Sequence, residues 1–321
     1  MSSFSYLLLQ IKIFKFFGVV PLEGTHQKSK LVQKIYATVV FLYLISYWCG
    51  IVYSIWISNT SFNQMSVVSN HVQLVVNGLT MSVVHILSVF GCTKMQIIKS
   101  KFRKFDIKTK KVNLKINDKK INLTSGFCIA FMSLFLLYST VFDFYLTIIR
   151  FKIHSVFYWI ATLLPSIVYN TSFFFAFCLI INIYYRWSML NGFLNNAMFG
   201  KLQSKIQIIE VESKKDSSSL IPKIFYLIHD LEDLTICIGR FFGPIFLVTF
   251  TAFFVISTIQ TFYCYVLLIN ITNESNGYPV WALAISANIV IFNIIMVLAM
   301  ITICEEISNQ VLTIFTFFQS N

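Results

Sequence analysis

The chain has 321 residues, 57% of them hydrophobic and only 12% charged, and its formal net charge is +12. An ordinary soluble domain carries about 25% charged residues, so this composition excludes a soluble globular protein and indicates a polytopic membrane protein. The basic residues are concentrated in a few segments, which points to membrane topology rather than to nucleic-acid binding.

Apolar stretches long enough to cross a bilayer occur at six places. A helix needs about 20 mostly apolar residues to cross the hydrocarbon core. The predicted spans are 33–57, 66–92, 124–148, 155–185, 242–269 and 280–303. We therefore predict an all-α fold, in which residues 1–321 form a single transmembrane domain.

The Lys and Arg residues orient these spans. All but two of the 25 lie in or beside the segments 1–32, 93–123 and 186–241, and only Arg150 and Lys152 fall on the other side. Basic segments remain in the cytoplasm, so we expect a cytoplasmic N-terminus. With six spans, the last segment is cytoplasmic as well, and it comprises residues 304–321.

Asn-x-Ser/Thr sequons agree with this orientation. They occur at Asn59, Asn270 and Asn273, all in short connections assigned to the outer side, and these are candidate glycosylation sites. A cytoplasmic N-terminus argues against a G-protein-coupled receptor, whose N-terminus is outside.

The cytoplasmic segment 94–123 is basic with interleaved apolar residues. It is either a solvated loop that sets topology or an interfacial stretch on anionic lipid headgroups.

Both ends of the segment 186–241 read as amphipathic helices, separated by a polar stretch. Apolar residues recur at helical spacing towards its end. They are Ile224, Leu227, Ile228, Leu231, Leu234, Ile238 and Phe241. We predict that the fourth and fifth spans continue into the cytoplasm as helices, where their apolar stripes need partners.

No pattern of catalytic or metal-binding residues is present. The seven Cys form no CxxC pair, and most lie in apolar runs. His229 and Asp230 are adjacent, so they point in different directions on a helix. We expect no enzyme activity, no cofactor and no metal.

Short motifs along most of the chain resemble those of the insect gustatory receptors. The opening "FKFFGVVPLEG" is similar to the family's start at Phe17, Gly18, Pro21 and Leu22, and "CEEISNQVLTIF" is similar to its Cys-then-Glu segment. The other two motifs lie in the segment 186–241. They consist of Arg186, Leu190, Asn191 and Leu194, and of His229, Ile238, Phe242 and Gly243, with Gly239 in place of the usual Asn.

The resemblance implies an inverted, seven-span chemoreceptor that detects small-molecule tastants. Such a protein is a subunit of a ligand-gated, non-selective cation channel, a homo- or hetero-tetramer in the plasma membrane of chemosensory neurons. It binds the lipid bilayer and no nucleic acid. Its cytoplasmic helices form a subunit anchor, to which we assign Arg186, Leu190, Asn191, Leu194, His229, Gly243 and Glu306.

In the anchor, Arg186 would sit at the headgroup level while Leu190 and Leu194 pack between subunits. The alternative for this stretch is a plain positively charged stop at the membrane face.

The family's seventh-span motif has no match before Asn321. The terminal "TIFTFFQSN" has a different spacing, and we expect the chain to lack the pore-lining span. The alternative function is therefore a non-conducting, truncated receptor or an accessory membrane subunit.

The resemblance also implies a ligand pocket in the outer half of the bundle. Asp143 is the most specific candidate, since an acid at membrane depth faces the interior or a wet cavity, though it could instead pair with Arg150 or Lys152. Tyr and Trp at span ends also form interfacial belts. The candidate ligand-binding residues are Tyr138, Phe142, Asp143, Tyr145, Tyr158, Trp159, Tyr169, Gln260, Tyr263 and Trp281.

Overall fold

The computed structural model describes residues 11, 27–58, 64–114, 116–150, 154–198, 220–273 and 280–320. Within these residues the regular structure is entirely helical. The helices are α1 Gln27–Ser58, α2 Gln64–Phe90, α3 Cys92–Lys111, α4 Asp118–Arg150, α5 His154–Met198, α6 Leu220–Asn273 and α7 Val280–Ser320.

Six of the described helices are long and apolar enough to cross a membrane, all except α3. The prediction of six spans in an all-α fold is therefore confirmed. The second predicted span, 66–92, runs slightly too far, because α2 ends at Phe90 and Gly91 separates it from α3.

Three helices are much longer than a bilayer requires. The lengths of α5, α6 and α7 are 45, 54 and 41 residues. At 1.5 Å per residue they measure about 60 to 80 Å, against about 30 Å of hydrocarbon. The prediction that the fourth and fifth spans run on as helices past the length of one crossing is confirmed, and α7 likewise continues without a break to Ser320. Their extension into the cytoplasm stays a prediction.

Side-chain contacts between distant segments define two ends of the bundle. Arg186 of α5 contacts Asp106 of α3, and Lys108 contacts Asp230 near the start of α6. Asn191 of α5 contacts Gln310 of α7. We call this the basic end; it holds α3, the start of α4, the first part of α6, and the last parts of α5 and α7. The opposite end holds the ends of α1, α4 and α6 and the starts of α2, α5 and α7.

The central helix of the bundle is α5. It packs against α1, α2, α4, α6 and α7, and 78% of its apolar stretch is buried, against 17% for that of α4. Phe173 forms edge-on contacts with Phe246, Phe250 and Phe253 of α6, with ring centroids 5.5 to 5.9 Å apart. The surrounding helices expose large apolar side chains, as expected for surfaces that face lipid.

Of the two alternatives for the segment 94–123, the solvated loop is wrong for Cys92–Lys111, which forms α3. Contact of this segment with anionic lipid headgroups stays a prediction. Its apolar residues recur at helical spacing, and Met95, Ile98, Phe102 and Phe105 are all buried. The helix packs on α6, while Lys94, Arg103 and Lys104 are exposed. The turn that follows contains Asn113 at a φ of 58°, a conformation that Asn tolerates better than most residues.

The apolar stripe predicted for the first part of α6 is confirmed. All seven of its residues, from Ile224 to Phe241, are buried. Their partner is α3 of the same chain, together with α2 and α5. The polar stretch between α5 and α6 lies outside the described residues.

The connection predicted at 270–279 begins later, because α6 remains helical to Asn273. Asn270 and Asn273 therefore end a helix instead of starting a loop, although glycosylation there stays a prediction. Asn59 lies outside the described residues.

Candidate functional site

Part of the predicted ligand site belongs to the side chains that the structure leaves undescribed. These side chains are those of Phe142, Asp143, Tyr145, Tyr158, Trp159 and Trp281. Their participation in ligand binding remains a prediction.

The other predicted ligand residues have different surroundings. Tyr169 is buried in the core between α5 and α6, with its ring centroid 5.9 Å from that of Phe253. Tyr138 is exposed on α4, where its hydroxyl accepts a hydrogen bond from Asn288 of α7 at 3.5 Å. Gln260 and Tyr263 are half-buried on α6.

At the basic end, the side chain of Arg186 is fully buried between α5 and α3. Its Nε and Nη2 atoms donate to the carboxylate of Asp106 at 2.9 to 3.1 Å. Its Nη1 atom donates to the backbone oxygen of Asn182 at 2.9 Å, and the guanidinium lies 4.8 Å from the ring centroid of Phe102. Arg186 is thus bound within its own chain on every side.

The environment of Asp106 explains why this pairing matters. Burial raises the pKa of the Asp106 carboxyl above its usual value, while the charge and hydrogen bonds of Arg186 oppose that rise. A buried ion pair with good geometry adds little net stability, but removing one partner leaves an uncompensated charge. Asp106 and Arg186 therefore fix α3 against α5 as a pair.

The residues that follow Arg186 continue this internal packing. Trp187 is buried, and its Nε1 atom donates to Thr235 of α6 at 3.4 Å. Leu190 and Leu194 are buried in the hydrophobic core of the chain. These residues already have partners within one chain, so a role in subunit contacts stays a prediction.

A polar chain links α5 to α7 one turn further on. Asn191 donates to Oε1 of Gln310 at 2.6 Å, and Gln310 donates to Oε1 of Glu306 at 3.2 Å. The structure therefore brings together two residues assigned to the anchor, Asn191 and Glu306, through Gln310, which was not assigned to it.

The remaining anchor residues lie on the surface of α6. His229 is exposed, with its Nδ1 atom 3.8 Å from Glu232. A Cβ atom at Gly243 would meet nothing within 4 Å. Both positions are therefore accessible to a partner.

An open groove of about 460 Å³ lies at the basic end between α4, α5 and α7. Apolar side chains form most of its walls, and hydroxyl groups and one carboxylate lie among them. The lining residues are Thr124, Cys128, Phe177, Ile181, Tyr184, Tyr185, Ala299, Thr302, Ile303 and Glu306.

Within the described residues, no group of His, Cys, Asp or Glu side chains is arranged to hold a metal ion. The groove instead offers apolar surface with a few hydrogen-bonding groups, which is the usual character of a small-molecule or lipid site.

Sequence reasoning missed Asp106 and Tyr185. Asp106 is the single acid in the otherwise basic stretch Cys92–Lys111, and that isolation was the available signal. Tyr185 had none, since aromatic residues are common throughout the chain.

The chain matches a known protein family. A family model described as 7tm Chemosensory receptor matches residues 7–320, a range that includes all seven helices. No curated protein matches the chain.

Proposed function

Because the chain belongs to the 7tm chemosensory receptor family, we propose that it detects small-molecule tastants as a subunit of a ligand-gated, non-selective cation channel. The family match over residues 7–320 carries this proposal. The six apolar helices support a multi-pass membrane receptor, and the plasma membrane of a chemosensory neuron is the location that suits this function.

The charge distribution supports a cytoplasmic basic end. The exposed face of α3 carries Lys94, Arg103 and Lys104, and basic segments remain on the cytoplasmic side. The opposite end then faces the exterior, where a tastant arrives. Ligand binding near Asp143 would shift the receptor towards its open state.

Assembly with other receptor subunits is proposed at the surface of α6. The exposed side chains of Phe225 and Tyr226 lie near its start, and Gly243 leaves open space beside the helix. Exposed aromatic residues suit subunit contacts, and a small residue lets a second helix approach closely. A homo- or hetero-tetramer would cover this surface.

The subunit contact can be tested separately from folding. We expect Gly243→Leu to reduce assembly while the single chain remains folded, because a Cβ atom at this position meets nothing within 4 Å in the chain alone. Leu190→Asp cannot make this distinction, since Leu190 is fully buried within the chain. Crosslinking in native membranes, followed by mass analysis, measures the assembly; normal assembly of Gly243→Leu would remove this residue from the contact.

The channel function is tested by whole-cell recording from cells that express the chain alone and with other receptor subunits. We expect tastant-evoked cation currents that Asp143→Asn reduces, since an acid at membrane depth is a functional group by default. Asp118→Asn, at the other end of the same helix α4, is the matched control and should leave the response unchanged.

Two results would argue against parts of the proposal. Saturable tastant binding without current, in every subunit combination, would favour a non-conducting receptor or accessory subunit. Equal responses in wild type and Asp143→Asn would remove Asp143 from the ligand site.

A further inference from the structure

The groove between α4, α5 and α7 is open to the surface, and an aromatic contact between α4 and α7 lies further along the same helices. Towards the opposite end of the bundle, Phe131 and Phe135 of α4 stack on Phe292 of α7, and the ring centroids of Phe131 and Phe292 are 6.4 Å apart. At the basic end, side chains of α4, α5 and α7 all line the groove, which we call the cleft.

All three walls of this cleft belong to stretches that are apolar enough to cross a membrane. Phe177, Ile181 and Ile303 give it an apolar interior. A cleft in such a position is reached directly from the bilayer, so a lipid chain enters it without crossing water.

Opposite charges flank the cleft. Lys120 of α4 lies over the ring of Tyr185, 5.5 Å from its centroid, and the Tyr185 hydroxyl is 2.9 Å from the Thr124 hydroxyl. The rings of Tyr185 and Tyr184 are 5.3 Å apart between centroids. Glu306 of α7 lines the same cleft beside Tyr184, so a cation and an anion stand on the two sides of a tyrosine pair.

We propose that this cleft binds one zwitterionic phospholipid, with an acyl chain between α4 and α7, its phosphate at Lys120 and its ammonium group at Glu306. An anionic lipid would bring a negative charge towards Glu306, and a cationic amphiphile would bring a positive charge towards Lys120. A zwitterionic headgroup complements both side chains. The Glu306 carboxylate accepts from Gln310 through Oε1, which leaves its second oxygen to accept from the ammonium group.

This lipid would be connected to the packing of α5 on α7. Glu306 is joined to Asn191 through Gln310, so a headgroup held at Glu306 lies next to the polar contact that links the two helices. The site is distinct from the tastant pocket proposed at the other end of the bundle, and it does not depend on ion conduction.

The test uses the full chain, purified in detergent and incubated with defined mixtures of phosphatidylcholine, phosphatidylethanolamine and phosphatidylglycerol. Lipid retained after size-exclusion chromatography is then measured by mass spectrometry. We expect the wild type to retain a zwitterionic lipid in preference to phosphatidylglycerol. The first two lipids distinguish a quaternary from a primary ammonium group.

Matched variants make the test specific. Glu306→Gln and Lys120→Gln should each reduce the retained zwitterionic lipid roughly tenfold, the effect of one charged hydrogen bond. The neighbouring exposed residues provide controls, so Glu305→Gln and Lys119→Gln should retain lipid as the wild type does. Ala299→Phe should abolish retention by filling the cleft without altering either charge.

Three outcomes would overturn the proposal. They are equal retention by Glu306→Gln and Glu305→Gln, a preference of the wild type for phosphatidylglycerol, and undiminished retention by Ala299→Phe. Thermal denaturation of each variant in lipid-free detergent establishes that it is folded before its lipid content is compared.

Discussion

The two sides of α5 at the basic end differ sharply, although they lie within one turn of the helix. On one side Arg186 is fully buried, and its donors are occupied by Asp106 and Asn182. On the other side Tyr184 and Tyr185 line an open groove. One helix therefore carries a closed polar junction and an accessible cleft back to back.

This difference indicates separate roles for the two sides. A buried charge whose partners are complete has a strong geometric requirement, because losing any partner leaves a costly unpaired group. Hydroxyl and carboxylate groups around an open groove can exchange partners with water or a ligand. We infer that the Arg186 side stabilises the fold of the receptor and that the Tyr185 side binds a ligand.

Loss of the ion pair between Arg186 and Asp106 should reduce the stability of the chain most. Asp106→Ala leaves the Arg186 guanidinium buried without its counter-ion, and we expect a loss of about 3–5 kcal/mol in the free energy of unfolding. Thermal denaturation followed by size-exclusion chromatography measures this loss. Lys104→Ala, on the exposed face of the same helix, is the control, and equal melting of the two variants would contradict a structural role for the ion pair.

A substitution at the junction between α2 and α3 should cause the next largest loss of stability. A Cβ atom at Gly91 would lie 2.5 Å from the backbone oxygen of Leu87 and would also meet the ring of Phe241. We expect Gly91→Ala to destabilise the chain by about 1–3 kcal/mol through overpacking. A Cβ atom at Gly239 would meet nothing within 4 Å, so the control Gly239→Ala should stabilise α6 by about 0.5–1 kcal/mol. A lower melting temperature for Gly239→Ala than for Gly91→Ala would refute this.

On the side of α5 that lines the groove, loss of a hydrogen bond should reduce the stability of the chain moderately. Asn191→Ala removes the contact with Gln310, and we expect a cost of about 0.5–1.5 kcal/mol. Asn195→Ala, an exposed position on the same helix, is the matched control. A cost as large as that of Asp106→Ala would show that the two sides of α5 are equally closed.

The surface ion pairs between α3 and α6 should contribute least to the stability of the chain. Lys108 and Asp230 are both partly exposed, as are Lys101 and Asp233. We expect Lys108→Ala to cost under about 1 kcal/mol, and the cost should shrink as salt is added. Melting curves at low and high ionic strength measure this, and a salt-independent loss would place the pair in a buried environment instead.

Much of the fold follows from local patterns in the sequence. Six apolar stretches predict six spans because a bilayer fixes the length of a crossing helix, and the spacing from Ile224 to Phe241 predicts the buried stripe of α6. In both cases the information lies within one segment of the chain.

The ion pair between Arg186 and Asp106 could not be predicted from the pattern of one segment. Arg186 and Asp106 are 80 residues apart in the sequence, and a basic residue after an apolar span also fits a plain topological stop. Met95, Ile98, Phe102 and Phe105 recur at helical spacing, but the many cations around them favoured a solvated loop, and α3 was not predicted. The groove depends on how α4, α5 and α7 are arranged together, which no single segment specifies.

The most direct measurement compares how added zwitterionic phospholipid changes the melting temperature of wild type, Asp106→Asn and Glu306→Gln. We predict that Asp106→Asn melts lower than wild type in detergent but gains the same increase from lipid. Glu306→Gln should melt near wild type in detergent and lose the increase. Equal lipid responses in wild type and Glu306→Gln, or loss of the response in Asp106→Asn alone, would contradict the division of α5 into a structural side and a binding side.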